Sequence, residues 1–266
     1  MMVRKCFFST LVTMKRIVLS VSFWAACAGL AAMELVNLLQ ELSLISGGVT
    51  SVLYLYEVGT YSNFWVLYLL FAAIPSATLF CADWENRYIR PCILRGSKQC
   101  YAVATAIACY LAAFLVVLIG DSVFLLLLHS RYPWVLPENI EGLGIADSVY
   151  SPLMSGAGVY LYFLIRTLCK AFCAAFTSVL ALCLSTVITN IFVTLAAPVI
   201  VFYIFENFLI LFEMPASFQI GSIAKGHIAV SGLGTTVLYT AVLFTLCAAV
   251  FGLLFVSSVQ RRVENG

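Results

Sequence analysis

The side chains best equipped for chemistry in this sequence are its thiols, its two imidazoles and a few charges set among long apolar runs. Ten cysteines would build a disulfide scaffold in a small secreted chain. Here, however, Cys27, Cys109, Cys173, Cys183 and Cys247 fall inside apolar stretches, Cys81, Cys92 and Cys100 flank a basic loop, and Cys6 lies in a basic leader. They read as free thiols packing like small apolar residues. Cys169 and Cys173, four apart, share one helical face and could approach a soft metal, but no histidine or carboxylate joins them at ligand spacing, and no metal site is expected. His129 and His227 stand alone on separate segments. There is no GxxxxGK[ST] loop, no HExxH pair and no GxSxG elbow, so no catalytic residue and no cofactor are expected in this chain. The tract Ser231-Gly232-Leu233-Gly234 precedes an apolar run, where it reads as a turn and not as a phosphate cradle.

Charges within apolar runs are the next candidates, since an ion near the centre of a bilayer costs about 2.5 to 3.5 kcal/mol on insertion scales. Glu206 stands well inside the stretch 191–212, where it serves either a translocation path or a structural partner. Asp121 ends nineteen apolar residues and Glu34 lies near the end of its run, both consistent with the outer surface. Arg166 and Lys170 precede another apolar stretch, which suggests snorkelling to the interface, and either could pair with Glu206. Pro75 and Pro198 each remove a backbone donor and can kink a helix, with Pro198 placed beside Glu206 on the same candidate path. Tyr162, Phe163, Tyr203 and Phe205 read as lipid-facing or core aromatics.

The most informative polar segment is 82–101. Asp83 stands four residues before Arg87 and Glu85 five before Arg90, so acidic residues precede cations along a short surface helix that Pro91 ends. Ile89, Ile93 and Leu94 can face a membrane or a partner while Arg87, Arg90, Arg95 and Lys98 stay in water.

These residues are positioned by six apolar runs, at 17–36, 64–81, 102–120, 171–187, 191–212 and 235–256. Each approaches the roughly 17 to 25 residues that a helix needs to cross a hydrocarbon core of about 30 Å. With 63% hydrophobic and 10% charged residues, the chain has too little polar surface for a water-soluble globule of its length. The expected fold is all-α: a polytopic membrane protein, one domain over 1–266, with six transmembrane helices. Unbroken apolar runs argue against a barrel, whose strands would alternate. Residues 1–16, with Phe7, Phe8, Leu11 and Met14 at near-helical spacing beside Arg4 and Lys5, read as an interfacial helix. The first run follows these basic residues and carries small ones, Ala25 to Ala32, as a cleavable signal peptide would, but its length and the five runs after it favour a retained helix. Most cations fall before the first run, between the second and third, and after the sixth, which places both termini and the 82–101 loop in the cytoplasm. Residues 213–234 are too polar to cross and are expected to dip back as short helices, and the loop 129–160 is expected to fold on the same outer face, with Tyr132 and Trp134 at the headgroups. The net charge of +2 gives no sign of nucleic-acid binding.

An acidic pair ending the second run, a basic stretch containing Leu94-Arg95-Gly96, and Tyr101 opening the third resemble the permease subunits of type-2 ABC exporters. The layout resembles them over nearly the whole chain, with weaker support at Ser185 and Pro198 and a departure at Ala104 and Thr105, where such permeases often carry a lysine. The resemblance implies that 83–101 is a coupling helix seated on a separate ABC-type ATP-binding subunit. Asp83, Glu85, Arg87 and Arg90 would make its polar contacts and Trp84 and Tyr88 its aromatic anchors. It also implies a second permease copy, identical or related, and re-entrant helices capping the path before the last span. The expected function is therefore the membrane subunit of an ATP-driven exporter, more comfortable with an amphiphile than with a polar solute, in the plasma membrane. The alternative is a non-transporting sensor or immunity protein that binds a membrane-active peptide. An intramembrane enzyme is disfavoured by the lack of paired catalytic groups.

Overall fold

The computed structural model describes residues 2–39, 50–60, 62, 64–89, 97–143, 150–154, 156–228 and 232–265. All regular structure among them is helical. In chain order the helices are α1 (Met2–Val18), α2 (Val21–Asn37), α3 (Val52–Thr60), α4 (Tyr68–Ala73), α5 (Leu79–Glu85), α6 (Lys98–His129), α7 (Pro137–Gly142), α8 (Gly158–Ser185), α9 (Ile191–Leu211), α10 (Ile220–Ala224) and α11 (Leu233–Asn265), with 3-10 turns at Trp65–Leu67 and Ser151–Met154.

Four of these, α6, α8, α9 and α11, are long and apolar enough to cross a membrane, and α1 with α2 would supply a fifth as one bent span. Apolar side chains such as Leu126, Phe192, Leu211, Leu238 and Leu253 project outward unburied. An apolar surface this extensive is stable in lipid and a liability in water. The core is organised around α8, which packs most extensively against α6 and α11 and also meets α9 and α4. Gly120 sets the close approach of α6 to α2: a Cβ there would stand 2.9 Å from Leu30 Cδ2 and 3.3 Å from the Cys27 carbonyl oxygen.

The structure revises several sequence-based boundaries, each for a local reason. The first run is broken: Ser20 Oγ donates to the Ile17 carbonyl and accepts from the Phe23 N–H, ending α1 and capping α2, and the two helices meet at 60°. The second run is not one continuous helix. Pro75 has no N–H to give, and a series of turns over 74–78 separates α4 from α5. The third and sixth helices run past the expected 102–120 and 235–256, and α8 starts at Gly158, well before the expected 171. The fifth, α9, matches its expected range to within one residue. Pro198 is buried in α9, facing the core with Thr194, Ala197 and Phe202.

Candidate functional site

One end of the bundle gathers cations. Arg16 Nη2 donates to Asp83 Oδ1 at 2.7 Å, and Tyr101 OH donates to Asp83 Oδ2 at 2.9 Å. Lys98 pairs with Glu264, and Arg262 donates to the Thr186 carbonyl at the end of α8. The Arg262 guanidinium lies 4.6 Å over the Trp84 ring, which stacks on Phe80. The end of α1, the start of α6, the ends of α8 and α11, and α5 are thereby fastened at one level.

The described members of the sequence-derived coupling set lie here, and two of them, Asp83 and Trp84, are engaged within the bundle. Asp83, Trp84 and Glu85 form the last turn of α5 and not a separate surface helix. Asp83 is 3% exposed and is held by Arg16 and Tyr101, so the expected helical pair with Arg87 is not made. The N–H groups of Arg87 and Tyr88 donate to the carbonyls of Trp84 and Asp83, a Schellman closure with Arg87 left-handed at φ 54°. Glu85, Asn86, Arg87 and Tyr88 form an exposed elbow. Arg90, like Cys92, Ile93, Leu94 and Arg95, lies outside the described residues. Because a non-glycine left-handed residue is disfavoured, Arg87→Gly is expected to raise stability by about 1 kcal/mol in thermal unfolding of the detergent-solubilised protein. Unchanged or lowered stability would mean that the Arg87 side chain makes a compensating contact.

The other half of the bundle contains a network that sequence reasoning did not assemble. Lys170 on α8 is 2% exposed and donates to Glu34 Oε1 of α2 at 2.5 Å and to both oxygens of Asp121 of α6 at 3.0 Å. Thr167 and Tyr56 also donate to Asp121 Oδ2, at 3.1 and 3.4 Å. One turn away along α8, Arg166 donates to Glu57 Oε2 of α3 at 2.9 Å, while Tyr162 donates to Glu57 Oε1. Arg166 Nη1 lies 3.3 Å from His227 Nδ1, which accepts from the guanidinium and so leaves the ring proton on Nε2. Burial, then the charges of Arg166 and Lys225, push the His227 pKa down to about 3, and the ring is neutral.

Asp121 is therefore not at the outer surface, and Arg166 and Lys170 do not snorkel; the pairing of either with Glu206 is also not made. Opposite charges neutralise one another inside the bundle, so α8 tolerates both cations within its length. Glu206 instead accepts from the Gly221 N–H at 2.8 Å and fastens α10, which packs between α8 and α9. A Cβ on Gly221 would stand 2.5 Å from Glu206 Oε1, so a larger residue there displaces the Glu206 carboxylate. The loops close over the network: Tyr150 OH donates to the Gly226 carbonyl at 2.5 Å, and Val52 and Leu53 N–H groups donate to the Pro133 and Trp134 carbonyls. Trp134 stacks on His129. Of the aromatics singled out in the sequence, Tyr162 and Phe163 are buried and Tyr203 and Phe205 exposed.

The described cysteines are all free thiols. Among the described residues no three His, Cys, Asp or Glu side chains are placed to hold a metal. An apolar cavity of about 270 Å³ lies among α8, α9, α10 and α11, walled by Phe176, Phe202, Phe205, Phe218, Phe244 and Phe251. No protein-family model matches the chain, and the comparisons with curated proteins and with solved structures find no match either.

Proposed function

We propose that this chain is the membrane-spanning subunit of an ATP-driven exporter, resident in the plasma membrane with both termini in the cytoplasm. In this reading six segments cross the bilayer: α2, the interrupted path from Trp65 to Glu85, α6, α8, α9 and α11. Trp65 and Tyr68 stand beside Lys225 and Lys170, and Asp83 beside Arg16, so the interrupted path connects the buried network to the basic end. α1 lies along the cytoplasmic interface with Phe7, Phe8 and Leu11 exposed to lipid, and α10 belongs to a re-entrant segment before the last span.

The observation that carries the reading is the construction of the elbow. Glu85, Arg87 and Tyr88 are presented to solvent at the basic end, while the adjacent Asp83 and Trp84 are keyed to Arg16, Tyr101 and Arg262. A push on the exposed residues by an ATPase subunit is passed directly to α1, α6 and α11. The phenylalanine-walled cavity suits an amphiphile with an apolar chain. A second copy of the chain or a related permease completes the transporter, and hydrolysis takes place on the separate ATPase.

The test is purification from native membranes in mild detergent, followed by measurement of ATP hydrolysis in the fraction containing the chain. Co-eluting activity that survives in wild type and falls at least several-fold in Glu85→Ala and Arg87→Glu supports coupling through the elbow. Absence of any associated ATPase, or activity indifferent to both variants, overturns it. The second reading, a non-transporting module that binds a membrane-active peptide, draws support from the two buried ion clusters that lock one half of the bundle. It requires no ATPase, and the same experiment separates the two.

A further inference from the structure

The charges buried around Lys170 do not balance. Lys170 is shared by two carboxylates, Glu34 and Asp121, and the neighbouring Arg166 is matched by Glu57. Lys225, 5.1 Å over the Trp65 ring, is the next cation, and Glu206 on the facing helix is the next acid. His227 is neutral and adds nothing to the count. Among the described residues of this cluster, four acids therefore face three bases. Arg131 is exposed, and the remaining described cations belong to segments at the basic end. The sequence has two further cations outside the described residues, Arg90 and Arg95, both in the loop before α6.

A second observation locates the deficit. Glu34 is 8% exposed and its Oε2 has no hydrogen-bond partner among the described residues; the same holds for Nε1 of Trp65, 5% exposed. Both residues line one cavity of about 10 Å³, together with Asn37, Tyr56, Thr60 and Lys170. That is room for a single water molecule. A buried carboxylate oxygen with neither partner nor water is costly, and two carboxylates gathered on one ammonium repel each other.

We propose that Glu34, Asp121 and Lys170 form a proton-binding site inside the membrane, in which Glu34 Oε2 holds one proton and donates it to a single water in the cavity beside Trp65. The water accepts from the Glu34 O–H and from Trp65 Nε1–H, which satisfies both orphaned groups. Lys170 keeps its bonds to Glu34 Oε1 and Asp121, and the acid–base count becomes even. On release the proton passes to that water and leaves as hydronium, and Glu34 returns to the carboxylate. The charged and titratable groups facing the site are Asp121 from α6, Lys170, Arg166 and Cys173 from α8, Tyr56 and Glu57 from α3, Tyr68 from α4, and Lys225 and His227 beyond Trp65. The site stands independently of any ATPase partner, since its ligand is the proton itself.

Infrared difference spectroscopy on the full chain in lipid nanodiscs, titrated across neutral and alkaline pH, tests this directly. A protonated-carboxyl band is expected at neutral pH, lost as pH rises and absent from Glu34→Gln at every pH. Because the folded protein holds a proton that the unfolded chain gives up in the ordinary carboxylate range, wild-type thermal stability falls as pH rises to the release point. Glu34→Gln, which keeps the shape and removes the charge, is expected to flatten that fall. Asp121→Asn relieves the repulsion and shifts release to lower pH, giving a second variant should Glu34→Gln not fold. A wild-type spectrum with no titrating carboxyl band overturns the proposal, as does a band that persists in Glu34→Gln. Stabilisation by added sodium at fixed pH without such a band assigns the site to a metal cation and overturns it equally.

Discussion

Replacing Lys170 with methionine will destabilise the protein by about 3 to 5 kcal/mol, the cost of leaving buried carboxylates without their counter-charge. Lys170 reaches both Glu34 of α2 and Asp121 of α6, so its loss weakens the junction of three helices. The check is unfolding in nanodiscs, read by loss of cooperative melting or by a large fall in its midpoint. Adding Asp121→Asn to Lys170→Met removes the stranded charge, Glu34 being protonated at neutral pH, and is expected to restore most of the loss. A reciprocal exchange of Lys170 and Glu206 is expected not to rescue, because Lys170 pairs with Glu34 and Asp121 while Glu206 accepts from the Gly221 N–H. Wild-type stability in Lys170→Met would mean that the triad is solvated.

Arg166→Met is expected to have a comparable cost, about 3 to 5 kcal/mol, for the same reason and with a different geographical result. Its guanidinium joins Glu57 of α3 to His227 after α10, and so ties both segments to α8. Proteolysis and hydrogen exchange should therefore report loosening of α3 and of the 225–228 turn before the long helices respond. Glu57→Gln in the same background removes the stranded carboxylate and should return much of the stability. Arg166 and Lys170 are one turn apart and share Tyr56 as a neighbour, so the two losses are not expected to add simply.

The parts of this fold legible in the sequence were those set by composition over a window. Helices α6, α8, α9 and α11 announce themselves by apolar length, and α9 does so almost to the residue because Asn190, whose side chain caps it, follows the turn closing α8. α8 was shortened in the sequence reading because Arg166 and Lys170 look like a membrane boundary. Nothing local to them reveals that their partners lie more than a hundred residues earlier, as Glu57 and Glu34 do. A helical search at spacing three to four would have found Asp121 short of a partner, since no cation sits within one turn of it on α6. Matching that excess acid to the excess bases of 158–170 was the available clue. At the other end, the Asp83–Arg87 spacing suggested a local pair, but α5 ends at Glu85 and Arg87 turns left-handed, so Asp83 reaches Arg16 instead. The exposure of residues 85–88 accords with their polar content, while the attachment of Asp83 and Trp84 to α1 and α11 is a tertiary fact.

The order in which the paired charges occur along the chain bears on how the protein is made. Glu34 and Asp121 leave the ribosome before Lys170 exists, and Glu57 before Arg166. Each early helix thus enters the insertion machinery carrying an acid whose neutralising base has yet to be synthesised. Release into lipid one helix at a time would expose those acids at a cost of about 2.5 to 3.5 kcal/mol apiece near the bilayer centre. Nascent α2 and α6 are better kept beside the translocon until the Gly158–Ser185 helix arrives to join them, so biogenesis is cooperative and late, and a ribosome stalled ahead of that helix leaves a membrane-bound fragment marked for quality control.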